Sequence, residues 1–172
     1  MFKINNWKEP IDKDDLLYVI INGLISAVLC GILAGALNYL LGMVNINLDL
    51  GFIVLLMIIP WRIKNSFETN HILYAVIGLI ALFIAFFISE YTTIAIGYVI
   101  LLGGNPLVLL GNGSTYYHII FGPILNIISS CKALAYASNI GFAILKIILS
   151  FLSLFLLIYA FYYTYISIRR KR

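Results

Sequence analysis

Charged side chains are the scarcest feature of this chain: Asp, Glu, Lys and Arg make up 10% of the 172 residues, and hydrophobic residues make up 63%. The mean hydropathy of +1.04 lies well outside the range of soluble globular domains. Cysteine is also rare, with Cys30 inside an apolar run and Cys131 in a later segment. Because these two residues are expected at different depths in the membrane, the sequence does not predict a disulfide between them.

The common catalytic motifs are absent as well. The chain has no GxxxxGK[ST] phosphate loop, no HExxH, no GxSxG and no CxxC. We therefore expect no catalytic residues, no cofactor and no metal site. Nucleic acid is not an expected partner, because attraction to anionic lipid headgroups accounts for the basic tail.

Four apolar runs predict an all-α, polytopic integral membrane protein with a single transmembrane domain over residues 16–168. A helix needs about 20 apolar residues to cross a bilayer core about 30 Å thick. The predicted spans are 16–43, 48–63, 72–89 and 140–168, and Pro60 should end or kink the second of them near Trp61.

The third loop, 90–139, is too apolar for an ordinary loop. Gly and Pro residues break it at 103–106 and 111–113, which predicts a partly membrane-embedded segment, either re-entrant or lying in the interface. An alternative topology has 94–110 as a fifth crossing and needs 119–128 to cross as well, so that the basic carboxyl tail stays inside.

The basic residues predict the orientation, because nine of the eleven Lys and Arg residues lie next to span ends on the same predicted side of the membrane. Tails 1–15 and 169–172 are therefore expected in the cytoplasm, and the expected membrane is a bacterial cytoplasmic membrane. The lipid bilayer is the first expected partner. The residues predicted to anchor the protein at lipid headgroups are Trp7, Trp61, Arg169, Arg170, Lys171 and Arg172.

Small residues in the first span predict close helix packing. Gly23, Ala27, Gly31 and Gly35 recur every four residues and include a GxxxG unit, while Asn22 and Asn38 lie on an adjacent ridge. We expect this ridge to pack within the monomer against Gly78, Ala81, Ala85 and Ser89 of the third span. The alternative is a homo-oligomer formed through the same ridge.

Three polar residues are candidates for an ion or proton site. Glu90 is expected at the outer end of the third span, His118 on the same side, and Asp49 near the start of the second span. An ionisable group close to hydrocarbon is by default a functional candidate. The structural alternative for Glu90 is an ordinary solvated helix end.

Two functional classes follow, with an enzyme as a third. The first is a non-catalytic accessory, assembly or immunity-type subunit that acts by helix packing with a membrane protein partner. The second is a small transporter or channel component that uses Glu90 and the broken segments 103–113. An intramembrane enzyme ranks last, since neither a nucleophile nor a third catalytic partner can be named.

Overall fold

The structure, a computed structural model, describes residues 11–43, 51–68, 71–134 and 140–169, with the backbone alone for 52–54 and 56. All regular structure in these ranges is helical. The helices are α1 (Lys13–Met43), α2 (Gly51–Lys64), α3 (Ile72–Leu102), α4 (Gly113–Leu134) and α5 (Ile140–Arg169), with a 3₁₀ helix at Pro106–Gly111 before α4.

Four of the helices are long and apolar enough to cross a membrane, as predicted in number, but they are α1, α3, α4 and α5. The second predicted span corresponds to α2, whose 14 residues measure only about 21 Å at 1.5 Å per residue. Pro60 is buried and does not end α2, which continues to Lys64. The observed set therefore differs from the predicted one in two helices, because α2 is too short and α4 was not predicted.

The predicted boundary at Ser89 is wrong. Helix α3 continues past Glu90 to Leu102, because no proline interrupts this stretch, and ends at Gly103. Gly103 adopts the left-handed conformation (φ 62°) that ends many helices, and its N–H donates to the Val99 carbonyl at 3.0 Å. Much of the predicted loop 90–139 is thus helical, in the last third of α3 and in α4.

Polar side chains define two helix starts. At α1, Asp12 Oδ1 accepts from the Asp14 N–H at 2.9 Å. At α3, His71 is the N-cap and its Nδ1 accepts from the Leu73 N–H at 3.1 Å. The acidic residues before α1 therefore include a helix cap.

Helices α1 and α3 run parallel, because residues later in α1 contact residues later in α3. Gly23 lies against Ala81, Gly31 against Ala85, and Gly35 against Ser89. The chain must therefore return between them, and α2 provides most of that return.

Helix α2 runs antiparallel to α1. The Gly51 N–H at its start bonds Asn38, and Ile63 near its end approaches Gly23. Four residues after α2, the Glu68 N–H donates to Asp15 Oδ2 at 3.0 Å. Residues 51–68 thus cover the same length of the bundle as most of α1.

Helix α5 runs antiparallel to α3. Its carboxyl end packs on Gly78 through Thr164 and Ile168, and the buried Ser150 hydroxyl lies 3.1 Å from Ser130 of α4. Helix α4 in turn contacts the second half of α3, so α5 extends from Gly78 toward the carboxyl end of α3.

The hydrophobic core lies where α1, α2 and α3 meet, with Ala160 and Ile168 of α5 added. Its largest fully buried side chains include Phe67 and Tyr74, whose ring centroids are 4.7 Å apart. Helix α4 contributes nothing to this cluster. The buried core of the bundle is therefore built by the first three helices, the segment after α2 and the end of α5.

Candidate functional site

The small-residue ridge of α1 faces α3 inside the same chain. A Cβ atom at Gly31 would lie 2.8 Å from the Ala85 carbonyl oxygen, and one at Gly35 would meet the Ser89 carbonyl oxygen. Ala27 is fully buried in the core. Glycine at these positions lets the two backbones approach closely, as such ridges do in membrane helices.

A polar cluster accompanies the ridge toward the carboxyl end of α1. The Thr93 hydroxyl lies 3.0 Å from the Gly35 carbonyl oxygen on α1 and 2.9 Å from the Ser89 carbonyl oxygen. Asn38 Oδ1 accepts from the buried Gly51 N–H at 3.0 Å, which ties α1 to the start of α2. The Asn38 Nδ2 and Ser89 Oγ atoms are buried without a hydrogen-bond partner.

Asn22, predicted on the adjacent ridge, is half-buried near the amino end of α1. It lines an open cavity of about 470 Å³ at the amino end of α1. The other lining residues are Asp15, Tyr18, Asn65, Ser66, Phe67 and Glu68. This cavity was not predicted, because residues 65–68 meet Asp15 only through the return of α2 along α1.

Glu90 does not lie at a helix end. The central residue of the 31-residue α3 is Phe87, so Glu90 is about 4.5 Å from the helix midpoint along its axis. The side chain is half-buried. The predicted alternative of a solvated helix end is therefore wrong.

Helix α4 approaches α3 at this level. A Cβ atom at Gly122 would lie 4.0 Å from Glu90 Oε2, and the ring of Tyr116 stacks on that of Phe87 at 5.9 Å. His118, one helical turn before Gly122, is exposed and makes an edge contact with the Tyr117 ring. The structure thus brings Glu90 to the helix that carries His118.

The segment before α4 folds back along α3. The Tyr91 hydroxyl donates to the Pro106 carbonyl at 2.9 Å, and Gly104 packs on the Tyr98 ring. Tyr116 of α4 donates to the Leu110 carbonyl at 2.6 Å, which fixes the 3₁₀ helix against α4. The 3₁₀ helix and α4 therefore form a hairpin, residues 103–134, beside the carboxyl half of α3.

One face of α4 exposes polar side chains. His118, Asn126 and Ser129 are exposed and follow a spacing of three to four residues through Gly122. The opposite face is apolar where it is exposed, with Ile120 and Ile124 about half exposed. Helix α4 is also the least apolar of the four long helices.

The remaining candidates are scattered. Trp61 is 60% exposed on α2, and Arg169 at the end of α5 donates to the Tyr165 hydroxyl at 3.1 Å. Trp7, Asp49, Arg170, Lys171 and Arg172 lie outside the described residues. Within the described ranges, no three His, Cys, Asp or Glu side chains are grouped as a metal site would require.

Comparison of the chain with protein-family models, with curated proteins and with solved structures gives no match.

Proposed function

We propose that this chain is a non-catalytic subunit of a membrane complex, of the accessory, assembly or immunity type, and that it binds its partner through α4. The observation that carries the proposal is the exposed polar face of α4, formed by His118, Asn126 and Ser129. The Ser129 hydroxyl already donates to the Asn126 carbonyl oxygen at 3.0 Å, whereas lipid tails offer no hydrogen bonds to the His118 imidazole or to the Asn126 side-chain amide. A second membrane protein that supplies donors and acceptors would satisfy them.

The ridge of α1 is a poorer partner surface. Its glycines already lie against the backbone of α3, so a dimer formed through them would have to open the bundle. The outer face of α1 is apolar, with Leu29 and Leu33 more than half exposed, and suits contact with lipid. These two observations favour α4 over α1 for the partner.

The proposed membrane arrangement has four crossings and a re-entrant hairpin. In it α1, α3 and α5 cross completely, and residues 51–68 return the chain between α1 and α3. Hairpin 103–134 enters and leaves on the side where α3 ends. The contacts of Tyr91, Tyr98 and Phe87 with this hairpin support it. The positive-inside rule then puts both termini in the cytoplasm, in a bacterial cytoplasmic membrane by our proposal.

A photo-crosslinking experiment tests the partner surface. A photoreactive amino acid at position 129, which is exposed on the same face of α4 and leaves Asn126 in place, should form an adduct with one defined membrane protein in native membranes. The same amino acid at Leu33, which is 62% exposed on α1, is the matched control and should label lipid alone.

The protein purified gently in detergent then completes the test, because its mass and composition report on the partner. We expect the crosslinked protein to co-purify in a fixed ratio and to be lost in Asn126→Leu. Equal adducts from positions 33 and 129 would overturn the proposal, and so would a monomer mass for both the wild type and Asn126→Leu. If the purified complex contained only copies of this chain, the partner bound through α4 would be a second copy of the protein.

A second candidate function is a small transporter or channel component. The observation in its favour is the position of Glu90, near the middle of α3 and beside a hairpin interrupted by Gly and Pro. Transport sites often use interrupted helices of this kind. Ion flux into liposomes that contain the wild type, abolished in Glu90→Gln, would favour this function over the subunit role.

A further inference from the structure

We infer that Glu90 is an intramembrane proton-binding site, a carboxyl group that takes up and releases a proton at the contact between α3 and α4. The inference rests on α3 crossing the membrane, as the proposed function has it. It does not depend on which partner the protein binds, and it assigns to the chain a chemistry that a packing role does not require.

The position of Glu90 along α3 is the first observation. Twelve helical residues follow it and eighteen precede it, so neither end of the helix brings the carboxyl group to water. Ionised side chains at such depths are costly, and those that occur usually face the interior of a bundle and take part in proton or ion pathways.

The neighbour on α4 is the second observation. Glu90 Oε2 lies 4.0 Å from where a Cβ atom of Gly122 would be, so the absence of a side chain there leaves space next to the carboxylate. The group is half-buried rather than enclosed. A proton can therefore reach Glu90 through the space beside Gly122.

The ligand is a proton rather than a metal ion because of the donor set. Sodium or calcium takes several oxygen ligands, typically six to eight for calcium. Within the described ranges no group of three metal-ligating side chains includes Glu90. A single carboxyl group is sufficient for a proton.

Several titratable groups lie on the helices that pack around α3. Helix α4 carries His118 one turn from Gly122, and α1 carries Tyr39, which packs on Gly97 of α3. Arg62 and Lys64 lie at the far end of α2, and Lys146 lies in the first half of α5 under the Phe142 ring. Helix α4 also carries Tyr116, Tyr117, Cys131 and Lys132, and among these residue types histidine is the one that ordinarily exchanges protons near neutral pH.

Carbodiimide labelling in membranes tests the inference without any known activity. Dicyclohexylcarbodiimide is apolar and adds to a protonated carboxylic acid, which transfers its proton to the reagent and ends as an N-acylurea. We expect an adduct at Glu90 whose formation slows as pH rises, and its loss in Glu90→Gln. Glu90→Asp, which keeps the carboxyl group, should retain it.

A water-soluble carbodiimide distinguishes failure of the proton site from failure of the proposed membrane arrangement. It should modify the exposed Glu68 and leave Glu90 unmodified, and Glu68→Gln should not change the apolar labelling. If the soluble reagent modified both residues equally, α3 would not cross the membrane and the proposed arrangement would fail. If neither reagent modified Glu90, if its labelling ignored pH, or if sodium suppressed it, the proton site would be overturned.

Discussion

The glycines of α1 differ in the space around them, and the differences predict a graded response to alanine. A Cβ atom meets nothing within 4 Å at Gly42, ordinary contact with Ala81 at 3.4 Å at Gly23, and backbone at 2.8 Å at Gly31. At Gly35 it would meet the Ser89 carbonyl and lie 2.6 Å from Thr92 Cβ. Since α3 backbone cannot move aside as a flexible side chain can, Gly31→Ala and Gly35→Ala should cost about 1–3 kcal/mol.

Thermal unfolding in detergent checks this series. Gly42→Ala is the matched control and should leave the unfolding temperature unchanged or slightly higher, and Gly23→Ala should lie close to it. If all four variants had the same stability, the parallel packing of α1 on α3 would be wrong.

Gly122 is the residue through which α4 meets Glu90, and the space beside it predicts a size dependence. Alanine would place its Cβ at van der Waals distance, 4.0 Å from Glu90 Oε2, and should be tolerated. Gly122→Leu would extend apolar atoms over the carboxylate and should lower carbodiimide labelling of Glu90 while Gly122→Ala keeps it. Labelling that both variants leave unchanged would show that α4 does not cover Glu90.

At the scale of elements, the start of α2 depends on one side chain of α1. The buried Gly51 N–H donates to Asn38 Oδ1, and leaving such a donor without a partner costs about 1–3 kcal/mol. Asn38→Leu should therefore lower hydrogen-exchange protection of the Gly51 amide by about tenfold, which corresponds to 1.4 kcal/mol. Asn22→Leu, the same change at the cavity, is the control and should leave that amide protected.

The contact between α4 and α5 predicts a disulfide. The Ser130 and Ser150 hydroxyl oxygens are 3.1 Å apart and buried, so cysteines at both positions should form a disulfide in a chain without Cys30 and Cys131. Ser129 is exposed and on another face of α4, and its cysteine paired with position 150 should not crosslink. Peptide mass mapping would detect both results, and equal crosslinking would mean that α4 rotates freely.

The sequence predicted helix type and number better than helix length. Apolar runs predicted α1, α3 and α5 as long helices, and the spacing of four in α1 predicted close packing along one of its faces. The last third of α3 was missed because Glu90 and two threonines look like a boundary, although none of them breaks a helix. Helix α4 was missed because Pro123 and scattered polar residues lower its apolar character, whereas a helix tolerates both when its neighbours pack against it.

At the scale of the whole molecule, the arrangement of Glu90 with α4 could not be predicted from local pattern at all. It depends on the path of residues 103–112, which fold back along α3 through Tyr91 and Tyr98. Contacts of this kind join residues far apart in sequence, and no periodicity encodes them. The same reason explains why the cavity at Asp15 and Glu68 was missed.

Sidedness of labelling decides between the re-entrant hairpin and a complete crossing by α4. In a chain without Cys30 and Cys131, we introduce single cysteines at Asn105 and Leu134, before and at the end of the hairpin, and at Ser66 after α2. Because α1 and α3 are parallel, Ser66 lies at the end of the bundle opposite to Gly103. If the hairpin enters and leaves on one side, an impermeant maleimide reaches positions 105 and 134 from the same side and position 66 only from the other. If α4 crosses completely, position 134 is labelled from the same side as position 66. Helix α5 would then have to run parallel to α3. The contacts of Thr164 and Ile168 with Gly78, and of Ser150 with α4, argue against that direction.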